Sequence, residues 1–336
     1  MRLRRVDCSA PGIRRVRRGR GFSYVDDEGN PIDDPEARER LRSLAIPPAW
    51  TDVWICADPR GHIQATGYDD AGRKQYVYHD AWREHRDRQK FSEMEDFAKA
   101  LPGIRERIGR DLALRGLVRE RVLGCAIRLL DLGFFRIGSE RYAAENETYG
   151  LATLKKRQLR LERDSAVFDF RAKGSARHVR VIADRAVLPT LRALKARRAG
   201  GDELLAYRNG RGWRDVRSDD INEHLKELAH AGFSAKDFRT WNATVLAAVA
   251  LAGHDPGDLS RTARRRAVNE AVEQVAGYLA NTPAVCRSAY IDPRVIDRFH
   301  SGDTIRHALD RELNGTEPGE FPERERIEAA VLRLLR

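Results

Sequence analysis

Residues 51–79, TDVWICADPRGHIQATGYDDAGRKQYVYH, decide the fold of the first part of the chain. Val53 to Ala57 is a short apolar run that ends in the turn Asp58-Pro59-Arg60-Gly61. His62 to Thr66 follows and leads into Asp69-Asp70-Ala71-Gly72, after which comes Gln75 to His79. Short segments rich in β-prone residues, closed off by Asp, Pro and Gly, read as antiparallel strands joined by tight turns. Upstream, Phe22 to Val25 leads into Asp26-Asp27-Glu28-Gly29, one more such unit. Further upstream, residues 1–20 carry Arg2, Arg4, Arg5, Arg14, Arg15, Arg17, Arg18 and Arg20. That stretch reads as a disordered basic arm or as solvated edge strands.

Downstream, the charged stretch Trp82-Arg83-Glu84-His85-Arg86 marks a change of character, and the domain boundary is placed near residue 88. Over 117–132, Leu117, Val118, Val122, Cys125, Leu129 and Leu132 recur at helical spacing. Further helices are predicted at 219–231, 241–252 and 265–280. The longest apolar run, Ala243 to Ala252, suits a buried helix. A hairpin is predicted from Val167 to Ala172 through Lys173-Gly174-Ser175 to His178–Ile182. Phe168 and Phe170 alternate on its first strand, Val179 and Val181 on its second. Arg198 to Asp202 reads as a turn, and Asn314-Gly315-Thr316-Glu317-Pro318-Gly319 as a loop before a final helix. The expected fold class is α+β. A small antiparallel β-rich lobe, 1–88, precedes a mostly α-helical lobe, 89–336, that carries a small sheet at 159–183.

The chain has 336 residues, enough for two or three domains and a sizeable core. Its 62 Lys and Arg against 51 Asp and Glu give a net charge of +11, which favours a polyanionic partner such as nucleic acid or an acidic membrane surface. Cys8, Cys56, Cys125 and Cys286 are scattered, without a C-x-x-C. Neither a disulfide framework nor a zinc site is expected, and a cytoplasmic setting fits. The first twenty residues lack the apolar stretch of a secretory signal, and no run is long enough to span a membrane, so no membrane partner is expected. There is no G-x-x-x-x-G-K loop, no H-E-x-x-H and no carboxylate cluster around a histidine, so nothing points to ATP or to a catalytic metal, and no cofactor is expected.

Scattered segments nevertheless form an ordered set. Gly72-Arg73-Lys74-Gln75-Tyr76-Val77-Tyr78 comes first. Phe134-Phe135-Arg136-Ile137-Gly138 and Glu145-Asn146-Glu147-Thr148-Tyr149-Gly150-Leu151 follow. Next are Arg171-Ala172-Lys173-Gly174 at the hairpin tip and Lys236-Asp237-Phe238-Arg239-Thr240 at a helix start. Asn281-Thr282-Pro283 lies nine residues before Tyr290, in Arg287-Ser288-Ala289-Tyr290. From about Phe22 to about Phe299 the chain resembles the poxvirus-type and bacterial type IB DNA topoisomerases. The resemblance implies a monomer that closes its two lobes around duplex DNA. It would nick and reseal one strand, relaxing supercoils of either sign.

Transferred residue by residue, the resemblance implies a catalytic set of Arg136, Lys173, Arg239, Asn281 and Tyr290. The residue types suit the chemistry. A tyrosine attacking a phosphodiester builds negative charge on the phosphoryl oxygens, which two guanidinium groups can clamp and an amide can bond. A lysine whose pKa is lowered by a positive surround can protonate the leaving 5′ oxygen. The covalent 3′-phosphotyrosyl bond stores the energy for resealing. Arg73, Lys74, Gln75, Tyr76, Tyr78, Tyr142 and Lys236 are the expected DNA contacts. On a regular strand Tyr76 and Tyr78 share a face and Gln75 takes the other. Two positions depart from the family pattern: Asn281 where His is common, and Ser139 where a Lys is common. Asn281-Thr282-Pro283 can also be read as a plain helix cap with Pro at the first position. Rival readings are a tyrosine recombinase and a non-catalytic architectural DNA binder. Recombinases usually carry His where Lys236 stands, and no C-terminal exchange helix is evident here.

Overall fold

A computed structural model describes residues 2–19, 21–138, 140, 143–144, 147–172, 174, 176–314 and 323–336. The chain forms two units, Met1–Ser92 and Glu93–Arg336. The division falls inside one long helix, α2 (Asp80–Leu112). The charged stretch 82–86, read in the sequence as a boundary signal, is the exposed start of that helix.

In the first unit, β1 (Ile13–Arg18), β2 (Gly21–Val25), β3 (Thr51–Ile55), β4 (Ile63–Tyr68) and β5 (Lys74–Tyr78) form one antiparallel sheet in the order β2-β1-β3-β4-β5. The strands follow the punctuation of the sequence, but β1 corrects both readings of the basic segment. It is an inner strand, neither a disordered arm nor an edge. Two of its four arginines bond loop carbonyls, while Arg17 and Arg18 are exposed. Arg14 donates to Asp27 O, and Arg15 donates to Ile46 O, Pro47 O and Trp50 O.

Helix α1 (Pro35–Ser43) has no counterpart in the sequence analysis. Its signal was present: Asp34 caps the helix by accepting from the Ala37 amide at 2.7 Å, and Pro35 opens it. Leu41 of α1 packs with Ile13, Val53, Ile55 and Ala65 against one face of the sheet.

The second unit is mostly helical. α2 buries Phe97, Leu101, Ile104 and Ile108 at helical spacing. α3 (Arg119–Gly133) is buried almost all round, as a central helix must be. β6 (Leu159–Leu161), β7 (Ala166–Arg171) and β8 (Arg177–Ile182) form a three-stranded antiparallel sheet, followed by α4 (Leu188–Ala196). A hairpin of β9 (Ala206–Asn209) and β10 (Gly212–Asp215), turning at Gly210, was not anticipated.

The helices expected at 219–231, 241–252 and 265–280 are α5 (Ser218–Ala229), α6 (Ala235–Ala252) and α7 (Arg261–Leu279). They are followed by α8 (Pro283–Ala289), α9 (Pro293–Ser301), α10 (Arg306–Asn314) and α11 (Arg324–Leu334). Of the loop expected at 314–319, Asn314 is instead the last residue of α10, and 315–319 lie outside the described residues. Among the described residues, no helix is long and apolar enough to cross a membrane.

A buried ion cluster joins the last helix to the central ones. Asp131 at the end of α3 accepts from Arg105 at 3.0 Å, Arg128 at 3.0 Å and Arg324 at 2.8 Å, and Glu328 pairs with Arg105 and Arg324. Burial alone would raise the Asp131 pKa. Arg324, Arg105 and Arg128 outweigh it and hold the carboxyl below its ordinary value.

The apolar alternation of β8 does not mark its buried face. Val179 and Val181 are 47% and 62% exposed, whereas His178, Arg180 and Ile182 lie on the inner face opposite Phe170, Phe168 and Ala166. The apolar alternation therefore points outward on this strand. Its inner face carries polar groups because that face borders the site described next.

Candidate active site

Two helix ends frame the site. α3 ends at Phe134 and α7 at Ala280, each in the left-handed conformation with φ of 54° and 48°. Both ends therefore present carbonyls that lack helical partners. Arg239, on the second turn of α6, is 4% exposed and bridges them. It donates to Phe134 O at 2.6 Å and to Leu279 O at 3.0 Å. Arg136, two residues past Phe134, donates to Ala280 O at 2.9 Å and also to Asn281 Oδ1. Guanidinium groups on helix C-terminal carbonyls also meet the negative end of the dipole, so both arginines are fixed by backbone rather than by carboxylates.

The Arg136 loop is pinned by a second segment. Leu151 N donates to Arg136 O and Ala152 N to Ile137 O, both at 2.8 Å. Gly138, at φ +94°, and Gly150 touch backbone to backbone there, and a Cβ on Gly150 would stand 2.4 Å from Gly138 Cα. Phe135 wedges between the rings of Phe168 and Phe170, with centroids 5.1 and 6.0 Å away, and so ties the loop to β7.

Tyr290 caps the C-terminal end of α8. Its ring lies against Arg239, whose guanidinium carbon is 5.2 Å from the ring centroid. Thr244 of α6 holds the backbone on both sides, donating to Tyr290 O at 3.3 Å and accepting from Asp292 N at 3.1 Å. Buried Asp292 pairs with Arg294 at 2.7 Å, and Arg294 reaches Glu95 of α2 at 2.6 Å. Burial works against the charge of Arg239, and Arg136 adds to that. The Tyr290 side chain opposes both.

Asn281 is not the helix cap. Thr282 takes that role, its hydroxyl accepting from Val285 N, with Pro283 first in α8. The Asn281 Oδ1 is turned to Arg136, and its Nδ2 is left over. Burial raises the pKa of the neighbouring Cys286 thiol, against the pull of Arg239 and the Asn281 amide.

Arg136 Nη1, Arg239 Nε and Asn281 Nδ2 are all buried and have no hydrogen-bond partner among the described residues. Such donors are costly to leave unmet. Their convergence beside Tyr290 describes a receptor for an anion with several acceptor oxygens. His178 Nε2 is also buried without a hydrogen-bond partner among the described residues, and as the protonated ring nitrogen it can donate. None of the sequence motifs includes His178, and only the strand register, which sets it opposite Phe170, reveals it. Among the described residues, no group of His, Cys, Asp and Glu is placed to hold a metal ion.

The structure thus brings together Arg136, Arg239, Asn281 and Tyr290. Lys173, Tyr142, Ser139 and part of the 145–151 motif lie outside the described residues. Lys236 is exposed one helical turn before Arg239. In the first unit, Tyr76 and Tyr78 are exposed on one face of edge strand β5, their rings 5.9 Å apart, with the Lys74 ammonium 5.9 Å from the Tyr76 ring. Strand pairing adds Tyr68, opposite Lys74, a residue that only the register reveals. Gln75 points the other way and donates to Asp69 Oδ2, which also pairs with Arg73 at 2.8 Å. Those bonds, Arg73 first, pull the Asp69 carboxyl down to about 2.

Comparison with known proteins converges with this geometry. Residues 79–307 match the family described as eukaryotic DNA topoisomerase I, catalytic core, and residues 21–69 match bacterial DNA topoisomerase IB, N-terminal domain. DNA topoisomerase 1B of Acanthamoeba polyphaga mimivirus is 30% identical over 295 residues, covering 83% of this chain and 85% of that one. DNA topoisomerase 1B of vaccinia virus is 22% identical over 275 residues, covering 80% and 84%. DNA topoisomerase 1 beta of Arabidopsis thaliana is 27% identical over 161 residues, covering 47% of this chain and 16% of the plant protein. The order of motifs, the clustered site and these similarities agree, and the chain belongs to the type IB DNA topoisomerases, a family of isomerases.

Proposed function

We infer that the protein relaxes supercoiled DNA by cutting and rejoining one strand through Tyr290, without a nucleotide or a metal. The observation that carries this reading is the set of unmet buried donors on Arg136, Arg239 and Asn281 beside the Tyr290 ring. A scissile phosphodiester supplies the acceptors. The Tyr290 hydroxyl gives up its proton to solvent water, and its oxygen bonds to phosphorus as the bond to the 5′ oxygen breaks. Lys173 gives that oxygen its proton. Charge that grows on the non-bridging oxygens meets two guanidinium groups held by backbone carbonyls and one amide held by Arg136, all needing little rearrangement.

The product is a 3′-phosphotyrosyl bond and a free 5′ hydroxyl. The number of ester bonds is unchanged, so resealing reverses the step with no external energy. Rotation of the free end between the two steps relaxes the duplex. The positive charge that a metal ion would bring to phosphoryl transfer comes from Arg136 and Arg239. Arg73, Lys74, Tyr76 and Tyr78 of the first unit, with Lys236 and Tyr142 of the second, grip the duplex, mainly through phosphates. Gln75 reaches DNA only if its bond to Asp69 opens. A monomer suffices, since every catalytic group lies on one chain, and the setting is cytoplasmic, on the nucleoid if the source is bacterial.

A plasmid relaxation assay with chelator and without nucleotide tests this. The expected result is a ladder of relaxed topoisomers. Supercoiled plasmid left unchanged would refute it, and relaxation that needs added metal would refute the metal-free part. Linked recombinant circles would favour a tyrosine recombinase. Binding without any change in linking number would favour an architectural protein.

A further inference from the structure

We propose that His178 is a further phosphate-contacting residue of this site, donating from Nε2 to a non-bridging oxygen of the DNA backbone beside Arg136 and Arg239. The proposal rests on the reading of the site as one for a scissile phosphate and adds a residue that the sequence motifs do not include.

Four observations place it there. The Nε2 atom is buried and without a partner among the described residues, like the free donors of Arg136, Arg239 and Asn281. The strand register sets His178 opposite Phe170, with ring centroids 5.7 Å apart, and the Phe170 ring stacks on Phe135, the neighbour of Arg136. Arg180, two residues on and on the same face of β8, donates to Tyr278 O at 2.6 Å. That bond ties this face of the strand to the last turn of α7, immediately before Asn281. Finally, Arg136, Arg239 and Arg180 all act on the imidazole. Together with burial, the largest cause, they push its pKa down to about 4. Arg180 is itself lowered by burial and by Arg136.

These surroundings define the role. At neutral pH the ring is uncharged and offers one N–H donor and no charge. The three cations that face it favour an anion next to the ring over a proton on it. A phosphodiester that enters between them relieves their mutual repulsion and gives Nε2–H an acceptor. His178 thus supplies the kind of imidazole donor that position 281 lacks in this chain, from a different element of the fold. It acts on the phosphate directly, without a change in any bond beyond those of the transesterification.

Two measurements test it. In single-turnover cleavage of a duplex oligonucleotide, His178→Ala should be slower by about 10²-fold, the usual loss for one preorganised donor, with unchanged DNA affinity. His178→Gln, which keeps an N–H donor, should regain part of that loss. Independently, the imidazole carbon resonance of His178 can be titrated in Tyr290→Phe, alone and bound to duplex DNA, and assigned by its absence in His178→Gln. The pKa should rise when DNA binds, because phosphate is brought to the ring. A purely structural histidine would not show this. Full cleavage by His178→Ala, or an imidazole titration that DNA leaves unmoved, overturns the proposal. If the wild-type protein forms no covalent adduct, the transesterase reading fails. The resonance still decides the role of His178, since it reports phosphate at the ring whether or not cleavage follows.

Discussion

Gly150→Ala should disable cleavage although residue 150 touches no substrate. The methyl group would stand 2.4 Å from both Cα and N of Gly138 and 2.8 Å from Arg136 O. Carbon contacts settle at about 3.5–4.0 Å, so the two backbones must part by about 1 Å. They cannot do so freely, because Leu151 N and Ala152 N are bonded to Arg136 O and Ile137 O at 2.8 Å. The displacement therefore falls on the loop that carries Arg136. A shift of about 1 Å in a positioning group costs about 10²-fold in rate. Overpacking of this kind also costs about 1–3 kcal/mol of stability, a melting drop of roughly 2–12 °C for a unit of this size. Single-turnover cleavage and a thermal melt measure the two effects. Gly109→Ala is the control. It sits on the exposed side of α2 with open space around its Cβ position, and should stabilise by up to about 1 kcal/mol and leave cleavage alone. Gly150→Ala that cleaves at the wild-type rate would refute the idea that this backbone crossing positions Arg136.

Asn281→Ala should lower cleavage by about 10²–10³-fold with little change in DNA affinity or melting, since Thr282, not Asn281, caps α8. Asn281→His should stay active and should show a pH step between 5 and 8 that the wild type lacks; a melting drop without a rate loss would make the residue structural. Lys173→Ala should cut slowly, and a substrate with sulfur at the 5′-bridging position should restore much of the rate, because a thiolate leaves without a proton. Absence of rescue would remove Lys173 as the acid. Asp131→Asn should cost about 3 kcal/mol in a denaturant titration, because it leaves buried Arg105 without its full counter-charge. Since the folded Asp131 carboxyl is held below its ordinary value of 3.8, the folded state binds that proton more weakly than the unfolded chain does. Its contribution is therefore complete above about pH 4 and is lost as pH falls through the folded value. A variant with the same acid limb as the wild type would contradict that assignment.

Much of this was readable in the sequence, and the failures have physical causes. Turn residues at 26–29, 58–61 and 69–72 locate the strands, because Gly and Asp supply backbone conformations that few residues adopt. Helical spacing locates α3, α6 and α7, whose apolar stripes are strong. Helix α1 was overlooked because Arg38, Arg40 and Arg42 hide its short apolar face. Yet Asp34-Pro35 announced its start. The basic segment misled because its charge masks an inner strand, on which Arg14 and Arg15 bind loop carbonyls and Arg17 and Arg18 remain exposed. Alternation misled on β8. Val179 and Val181 face out and His178, Arg180 and Ile182 face in, so the apolar spacing of β8 does not mark its buried face. The pentad motifs give residue identity but not which atoms remain unbonded. Only the carbonyls at the ends of α3 and α7 show that each arginine keeps one donor free.

The central claim is that the Tyr290 oxygen becomes covalently joined to DNA. The most direct measurement is to trap the protein on a duplex that loses the fragment downstream of the nick, with chelator and no nucleotide, and to digest it with trypsin. Arg287 and Arg294 flank the tyrosine, so the adduct should appear on peptide 288–294, with a mass increase equal to a 3′-phosphorylated nucleotide chain less one water. Tyr290→Phe should bind the same DNA and yield no adduct. An adduct on another residue, or a covalent product formed by Tyr290→Phe, would contradict the account.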